Sequence, residues 1–387
     1  LGPYFELFSK IIEYVCFMKK LLLLLFCLPM IFFGQCDRQQ IVENYNTIYL
    51  GSQVLPAQLG WTGDVSTCNP GTISALSLDN TLDRINYFRN LVGLPSNITF
   101  DSLLNQKCQE AALMMDANNS VNHNPPPTWL CYTTNGDDAA GSSNLASGSN
   151  SSSSITRYIS DHGVNNTAVG HRRRILYTRA NIFGTGSTYT KNALWVINNF
   201  ITPAPVPFVA YPSPGFFPGP LVFGRWSFSI QNADFSLTTI SMTNEQGINI
   251  PLTIEPITNG YGDNTIVWVP DPSYINNLFG SEDTKYTINI LNVNNTVQQN
   301  YNYEIVIMTH NNGGNLVHPP NCPNLTIWNE DSCACINQTT SIYEVNHKTK
   351  TLQKVTNILG KEKKGRKNEL LFYIYDDGTV EKRITIE

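Results

Sequence analysis

The hydrophobic periodicity of this 387-residue chain changes once, near residue 200, and that change limits the possible folds more than any other feature. Before it, apolar residues recur at helical spacing within 78–93 and again after Asp101, a residue type favoured at helix N-caps. A shorter helical pattern covers 155–159. The stretch 136–154, rich in Gly, Ser and Asn, has no periodicity and predicts a long loop.

After residue 200 the helical pattern is gone. The Pro-rich segment 201–217 predicts a linker or an extended connector. Short alternating or β-branched runs at roughly ten-residue spacing follow, which predict an antiparallel β-sandwich of immunoglobulin-like type over 218–311. The predicted strands are 226–230, 235–242, 248–254, 265–269, 286–293 and 301–308.

The N-terminal region has the pattern of an export signal. Met18, Lys19 and Lys20 precede an apolar run over 21–33, which is short for a membrane span, since a span needs about 20 apolar residues. We therefore expect a signal peptide over 18–35 with an upstream extension over 1–17, and an extracellular or cell-surface location without a membrane span after processing. A retained anchor and lipidation at Cys36 are the alternatives.

The charge pattern argues against nucleic acid as a partner. The formal charge is -5 and only 14% of residues are charged. Binding to phosphate backbones needs a clustered basic face, and none precedes the last segment.

The cysteines are expected to form disulfides, because the chain is expected to be exported. Their number after the signal is odd, so the pairing is open and at least one thiol stays outside an internal bond. A metal site near the last three, within the predicted linker 312–347, would lack a fourth ligand at zinc-like spacing. The seven are Cys36, Cys68, Cys108, Cys131, Cys322, Cys333 and Cys335.

The last segment, 348–387, begins with basic residues and ends with two β-rich runs around Asp377 and Gly378, which predict a small hairpin. The sequences KVTNILGKE from Lys354 and YDDGTVEK from Tyr375 resemble the C-terminal sorting domain of type IX secretion cargo. The resemblance implies passage through two membranes.

Three blocks in order carry a second resemblance. The first is 84–89 followed by Gly93, the second is His123 in VNHNPP, and the third is GHRRRIL over 170–176. Together they resemble the CAP superfamily of cysteine-rich secretory, antigen 5 and pathogenesis-related 1 proteins. The resemblance implies a CAP-type α-β-α sandwich over 65–200, after an N-terminal segment 36–64. The fold class expected for the whole chain is therefore α+β.

The resemblance also implies a cleft lined by two histidines, here His123 and His171, with Ser143 and Asn144 beside them. Two neutral imidazoles can hold a divalent cation such as zinc or calcium, or position a polar ligand. The alternative is that each imidazole only satisfies a buried hydrogen bond. Ser143 stands where the family usually has the Glu of a Gly-Glu-Asn motif, which weakens a cation site, and Asp161 is the nearest substitute for the second Glu.

An enzyme would need a nucleophile beside a base. Ser143, with His171 or His123 as base and Asp161 as orienting group, is the one candidate set, and no GxSxG motif supports it. The leading interpretation is a secreted binder of an extracellular ligand or surface that has no catalytic activity. The alternatives are a hydrolase acting on peptide or cell-wall material, and an adhesion or carbohydrate-binding protein that uses the β-sandwich.

Three consecutive arginines, Arg172, Arg173 and Arg174, follow His171 in the third block. If they lay on a strand entering the sheet, their side chains would alternate between its two faces. We therefore expect one buried ion pair and otherwise solvated charge, rather than a shared anion-binding patch.

Overall fold

The computed structural model contains mixed helices and mostly antiparallel sheets, which confirms the α+β class. The described residues form two compact units, one up to Ile336 and one from Asn337 onwards. The predicted signal peptide and upstream extension lie outside the described residues. These residues are 36–275, 283–309, 326–329, 334–337, 351–357, 361–362, 370–376 and 380–384.

The two long helices form where the sequence predicts them. Helix α2 begins after Ser74, whose side chain accepts a hydrogen bond from the Ser77 amide. Helix α3 begins after Asp101, whose carboxylate accepts from the Leu104 amide. These caps satisfy backbone donors that have no partner within a helix. The helices of this part are α1 Cys36–Asn44, α2 Ala75–Leu91, α3 Ser102–Ala117, α4 Thr134–Ser142, α5 Ser151–Ser160 and α6 Gly170–Ile175, with single turns at Tyr45–Tyr49 and Pro56–Gln58.

The predicted loop over 136–154 is wrong, because this stretch contains most of α4, a strand and the start of α5. Four of its serines, at positions 143, 151, 152 and 154, are buried packing residues. Ser151 and Ser152 are buried, with Ser151 bonded to Ser77 on α2 and the Ser152 hydroxyl accepting from the Val54 amide at 3.2 Å. Small hydroxyl side chains let α5 approach α2 closely, and they hide the helical pattern from a search for apolar residues.

A four-stranded sheet of order β1-β3-β4-β2 lies between these helices. Strand β4 is buried along its length, and its alternate residues belong to two different hydrophobic clusters. Ala193 and Trp195 pack with residues of α3 and α4, whereas Leu194 packs with residues of α2 and α5. Helical side chains therefore cover both faces. The strands are β1 Thr99–Phe100, β2 Ser143–Ser147, β3 Ile182–Ser187 and β4 Lys191–Trp195.

Two further four-stranded sheets, β5-β7-β10-β9 and β6-β12-β11-β8, form the β-rich region. The strand predictions over 226–230 and 301–308 are confirmed, and the others differ at their ends. Aromatic rings join the two sheets, with Trp226 and Tyr286 centroids 6.4 Å apart. The elements are β5 Val209–Tyr211, β6 Gly215–Pro218, β7 Trp226–Ile230, β8 Thr239–Asn244, β9 Leu252–Ile254, β10 Asn264–Pro270, α7 Pro272–Ile275, β11 Thr284–Leu291 and β12 Tyr301–Met308, with a 3₁₀ turn at Gly219–Leu221.

The segment 201–217, predicted to be a linker, contributes one strand to each of these sheets. Strand β5 pairs antiparallel with β7, and β6 pairs parallel with β12. Strand β5 is short and fully buried, so its backbone needs ladder partners although prolines surround it. The Pro-rich composition concealed both strands.

The C-terminal unit contains the predicted hairpin, and a third strand extends it. Strands β16 and β17 pair antiparallel from Leu370 opposite Ile384, and β15 pairs antiparallel on the other edge of β16. Among the described residues after β12, the strands are β13 Thr326–Asn329, β14 Ala334–Asn337, β15 Leu352–Thr356, β16 Leu370–Tyr375 and β17 Val380–Ile384.

Among the described residues, one disulfide joins Cys68 to Cys131, and Cys108 is a free, buried thiol. Cys322 and Cys333 lie outside the described residues. No helix within the described ranges has the length and hydropathy that a membrane span requires.

The three consecutive arginines lie on α6, a helix and not the expected strand, and none of them forms an ion pair with a described residue. They bind backbone carbonyls of the β-rich region instead. Arg172 donates to the Arg225 carbonyl at 2.8 Å, and Arg173 donates to the Thr258 carbonyl at 2.6 Å and the Asp263 carbonyl at 3.0 Å. A guanidinium carries several donors in a rigid fork, so each side chain can hold more than one carbonyl.

Arg172 is 1% exposed, and its guanidinium also donates to the Ile159 carbonyl at 2.7 Å and lies 4.4 Å from the Tyr211 ring centroid. Burial lowers the pKa of Arg172 to about 10, so the group stays charged at neutral pH. The carbonyls, the ring and the nearby Asp161 carboxylate therefore stabilise a buried cation that forms no ion pair with a described residue.

The Arg172→Ala variant should lose about 3 kcal/mol or more of unfolding free energy, because several buried carbonyls would lose their donor. Urea denaturation followed by tryptophan fluorescence measures the loss. The matched control is Arg157→Ala, at an exposed position, for which we expect a change within about 0.5 kcal/mol. Equal effects of the two substitutions would contradict the role given to Arg172.

Candidate functional site

A buried carboxylate fixes the orientation of His171. Asp161 ends α5 in the left-handed conformation, with φ 47°, and is 2% exposed. Its Oδ1 accepts a hydrogen bond from His171 Nδ1 at 2.7 Å, and its Oδ2 accepts from the backbone amides of His171 at 2.9 Å and Arg172 at 3.3 Å. The Tyr158 ring stacks on the imidazole, with centroids 5.6 Å apart. Since a carboxylate only accepts, Nδ1 carries the proton and a neutral ring has its lone pair on Nε2.

The second histidine is held in the same way by a different group. His123 lies on the exposed segment after α3, and its Nδ1 bonds the Ala140 carbonyl at 2.9 Å. A carbonyl oxygen cannot donate, so this ring also has its proton on Nδ1 when neutral. The two imidazoles therefore have the same tautomer, and in both of them Nε2 is the nitrogen that no described residue bonds.

Ser143 and Asn144 begin strand β2, and both are buried. The Asn144 side chain donates to the His171 carbonyl at 3.1 Å, which ties β2 to α6. The Ser143 hydroxyl contacts the Cys108 thiol, with Oγ and Sγ 3.8 Å apart, and no described histidine bonds it. Burial raises the pKa of the Cys108 thiol to about 12, so it is neutral near pH 7. Of the candidate catalytic set, Asp161 and His171 are joined, and Ser143 is bonded to neither histidine.

A cleft of about 380 Å³ brings the expected ligand-binding residues together. His123, His171, Ser143 and Asn144 all line it. Asp161 lies on the other side of the His171 ring, in the wall of a smaller cavity of about 190 Å³. The other lining residues are Gly141, Asn165, Asn166, Ala168, Gly170, Arg174, Val196, Ile197 and Tyr261.

Arg174 and Tyr261 are among the lining residues that neither a sequence pattern nor the family resemblance predicted for the cleft. Tyr261 comes from the loop between β9 and β10 of the β-rich region. Its ring lies over Gly170, where an added Cβ would be 2.8 Å from Tyr261 Cδ1. No short-range sequence signal connects positions this far apart, although glycine at 170 is what permits the close approach.

The residues present do not fit a zinc or calcium ion. In the described part of the chain, no group of three His, Cys, Asp or Glu side chains could hold a metal. The cleft offers two imidazole nitrogens and no carboxylate, and Asp161 already accepts three N–H groups. Hard cations require several oxygen ligands, and zinc sites usually have at least three protein ligands. The Arg174 guanidinium in the same wall adds a repelling charge.

Residues 82–199 match the family model described as CAP, the cysteine-rich secretory protein family. The chain contains a CAP domain. The match includes His123, Ser143, Asp161, His171 and Arg174, whereas Tyr261 lies beyond it. No match was found among curated proteins or among solved structures. The resemblance of the C-terminal tail to a sorting domain stays a prediction.

Chelation should leave the stability of the CAP domain unchanged, because no group of described side chains forms a metal site. We expect the thermal unfolding midpoint to be the same with and without excess EDTA, measured by scanning fluorimetry at constant ionic strength. Dialysed protein with zinc or calcium added back is the control. A fall in the midpoint on chelation that either ion reverses would contradict this prediction.

Proposed function

We propose that this protein is exported and binds an extracellular ligand, or a group on an extracellular surface, in the histidine-lined cleft without transforming it. One observation carries the proposal. Two imidazoles from separate segments are each fixed through Nδ1, by Ala140 and by Asp161, and both line one open cleft. Rings held in one orientation lose little freedom when a ligand binds, which favours recognition.

Export is supported by the signal-like segment 18–35 and by the disulfide between Cys68 and Cys131. Disulfides persist mainly in oxidising compartments. The type IX route remains part of this proposal, because it rests on the resemblance of the tail alone.

The experiment is a titration of the protein with a set of neutral, acidic and basic small molecules, followed by the Cε1–H signals of labelled histidines. Compounds that occupy the cleft should shift the His123 and His171 signals together, because both rings line the same space. The variants His123→Gln and His171→Gln assign the signals and should weaken binding. The proposal would be contradicted if compounds shift only one of the two signals, or if no compound shifts both.

A hydrolase acting on peptide or cell-wall substrates is the second candidate, and the 2.7 Å bond between His171 and Asp161 favours it. Such a pair orients a general base, and catalytic hydrogen bonds are often long before substrate binds. Peptidase and esterase activity that falls at least a hundredfold in Ser143→Ala but not in Ser142→Ala would support this reaction. Activity that is absent, or equal in the two variants, would leave the binder as the function.

A further inference from the structure

The described side chains that line the cleft include one permanent positive charge and no carboxylate. Arg174 is the only Lys, Arg, Asp or Glu side chain among the described residues that line it. Asp161, which is bonded to His171, is 2% exposed and lines the smaller cavity instead. Any charged group that enters this cleft therefore meets a guanidinium and no carboxylate.

The Arg174 guanidinium is held at one end and free at the other. Its Nη2 donates to the Gly260 carbonyl at 2.7 Å, and its Cζ lies 6.0 Å from the Tyr261 ring centroid. No described residue accepts a hydrogen bond from its Nε or Nη1. Nη2 has a second N–H, which lies parallel to an N–H of either Nε or Nη1. Such a parallel pair of donors on a positioned guanidinium matches the oxygens of a carboxylate or phosphate.

The remaining polar groups of the cleft include fixed acceptors. The Nε2 atoms of His123 and His171 carry lone pairs when the rings are neutral. Asn144 donates through Nδ2 to the His171 carbonyl, so its Oδ1 is left to accept. These acceptors pair with hydroxyl groups of a ligand and not with an anion. The cleft thus combines a donor fork at Arg174 with acceptors elsewhere.

We propose that the cleft binds a small hydroxylated molecule that carries an oxyanion, such as a sugar acid or a sugar phosphate. Arg174 donates hydrogen bonds to the oxyanion, and the Gly260 carbonyl and the Tyr261 ring hold its guanidinium in place. This inference rests on the proposed function of the cleft as a binding site. A volume of about 380 Å³ lies in the range of small-molecule sites. The β-rich region is then part of the binding site, although it lies outside the family match.

Three hexoses of the same scaffold test the proposal: glucose, glucuronate and glucose 6-phosphate. Affinities come from the histidine signals in the full-length protein at fixed ionic strength. At least one of the two anionic hexoses should bind about tenfold or more tightly than glucose, a difference of about 1.4 kcal/mol. Comparing glucuronate with glucose 6-phosphate distinguishes a carboxylate from a phosphate ligand.

The preference should depend on the guanidinium and not on general positive charge. We expect Arg174→Gln to abolish the preference, and Arg174→Lys to retain only part of it because the fork is lost. Tyr261→Ala should weaken binding of the anionic hexoses more than binding of glucose, because the ring both lines the cleft and holds the guanidinium. The matched control is Arg157→Gln, in the wall of the smaller cavity only, which should keep the full preference. Circular dichroism checks that each variant folds. If Arg174→Gln does not fold, the anion preference of Arg174→Lys provides the test.

Several outcomes would overturn the inference. Glucose binding as tightly as the anionic hexoses would do so, as would an anion preference that survives in Arg174→Gln or disappears equally in Arg157→Gln. If other compounds shift both histidine signals while all three hexoses fail to bind, the inference is wrong and the proposed function stands. If no compound shifts both signals, the proposed function itself is wrong.

Discussion

The carboxylate of Asp161 is the group on which the rest of the site depends. It accepts the ring N–H of His171 and two backbone amides at the start of α6, so one buried side chain sets both a histidine and a helix. The same helix carries the arginines that bind the β-rich region. A left-handed residue at the end of α5 turns the chain so that this carboxylate faces α6, and Asp is among the few types that tolerate this conformation. The cleft and the contact with the β-rich region thus share one origin.

The family match ends at residue 199, but the cleft does not. Tyr261 lies against Gly170, and the Gly260 carbonyl holds Arg174, so a loop of the β-rich region completes a wall of the CAP domain's cleft. Cation binding would have needed carboxylates here. A serine, which carries no charge, and a guanidinium, which carries a positive one, stand in the cleft instead.

The parts of this structure that sequence could predict are those fixed by neighbouring residues. The cap at Asp101 and the alternating strands over 226–230 and 301–308 follow from local rules. The sequence predicts only the second half of helix α5, because buried serines in its first half replace the apolar residues that mark a helical face. Helix α6 was mistaken for a strand, since it is six residues long and its first amides are capped by Asp161, ten residues before His171.

The same distinction between local and long-range contacts applies to the residues of the site. Only the resemblance to a family brought His123, His171, Ser143 and Asn144 into one predicted cleft, and all four line the cleft of the structure. Arg174 was visible as a basic residue, but its position in the cleft depends on a carbonyl and a ring far away in sequence. Contacts of this kind arise from tertiary packing, which no local pattern of residues encodes.

The two walls of the cleft are anchored by different chemistry. The segment that carries His123 runs on to Cys131, where the disulfide joins it to Cys68, and it is exposed over most of its length. His171 is anchored by Asp161 and by packing against Tyr158, neither of which involves sulfur. Reduction would therefore remove the covalent tether from the segment that carries His123, leaving that wall to the Ala140 bond alone, while the anchoring of His171 would not change.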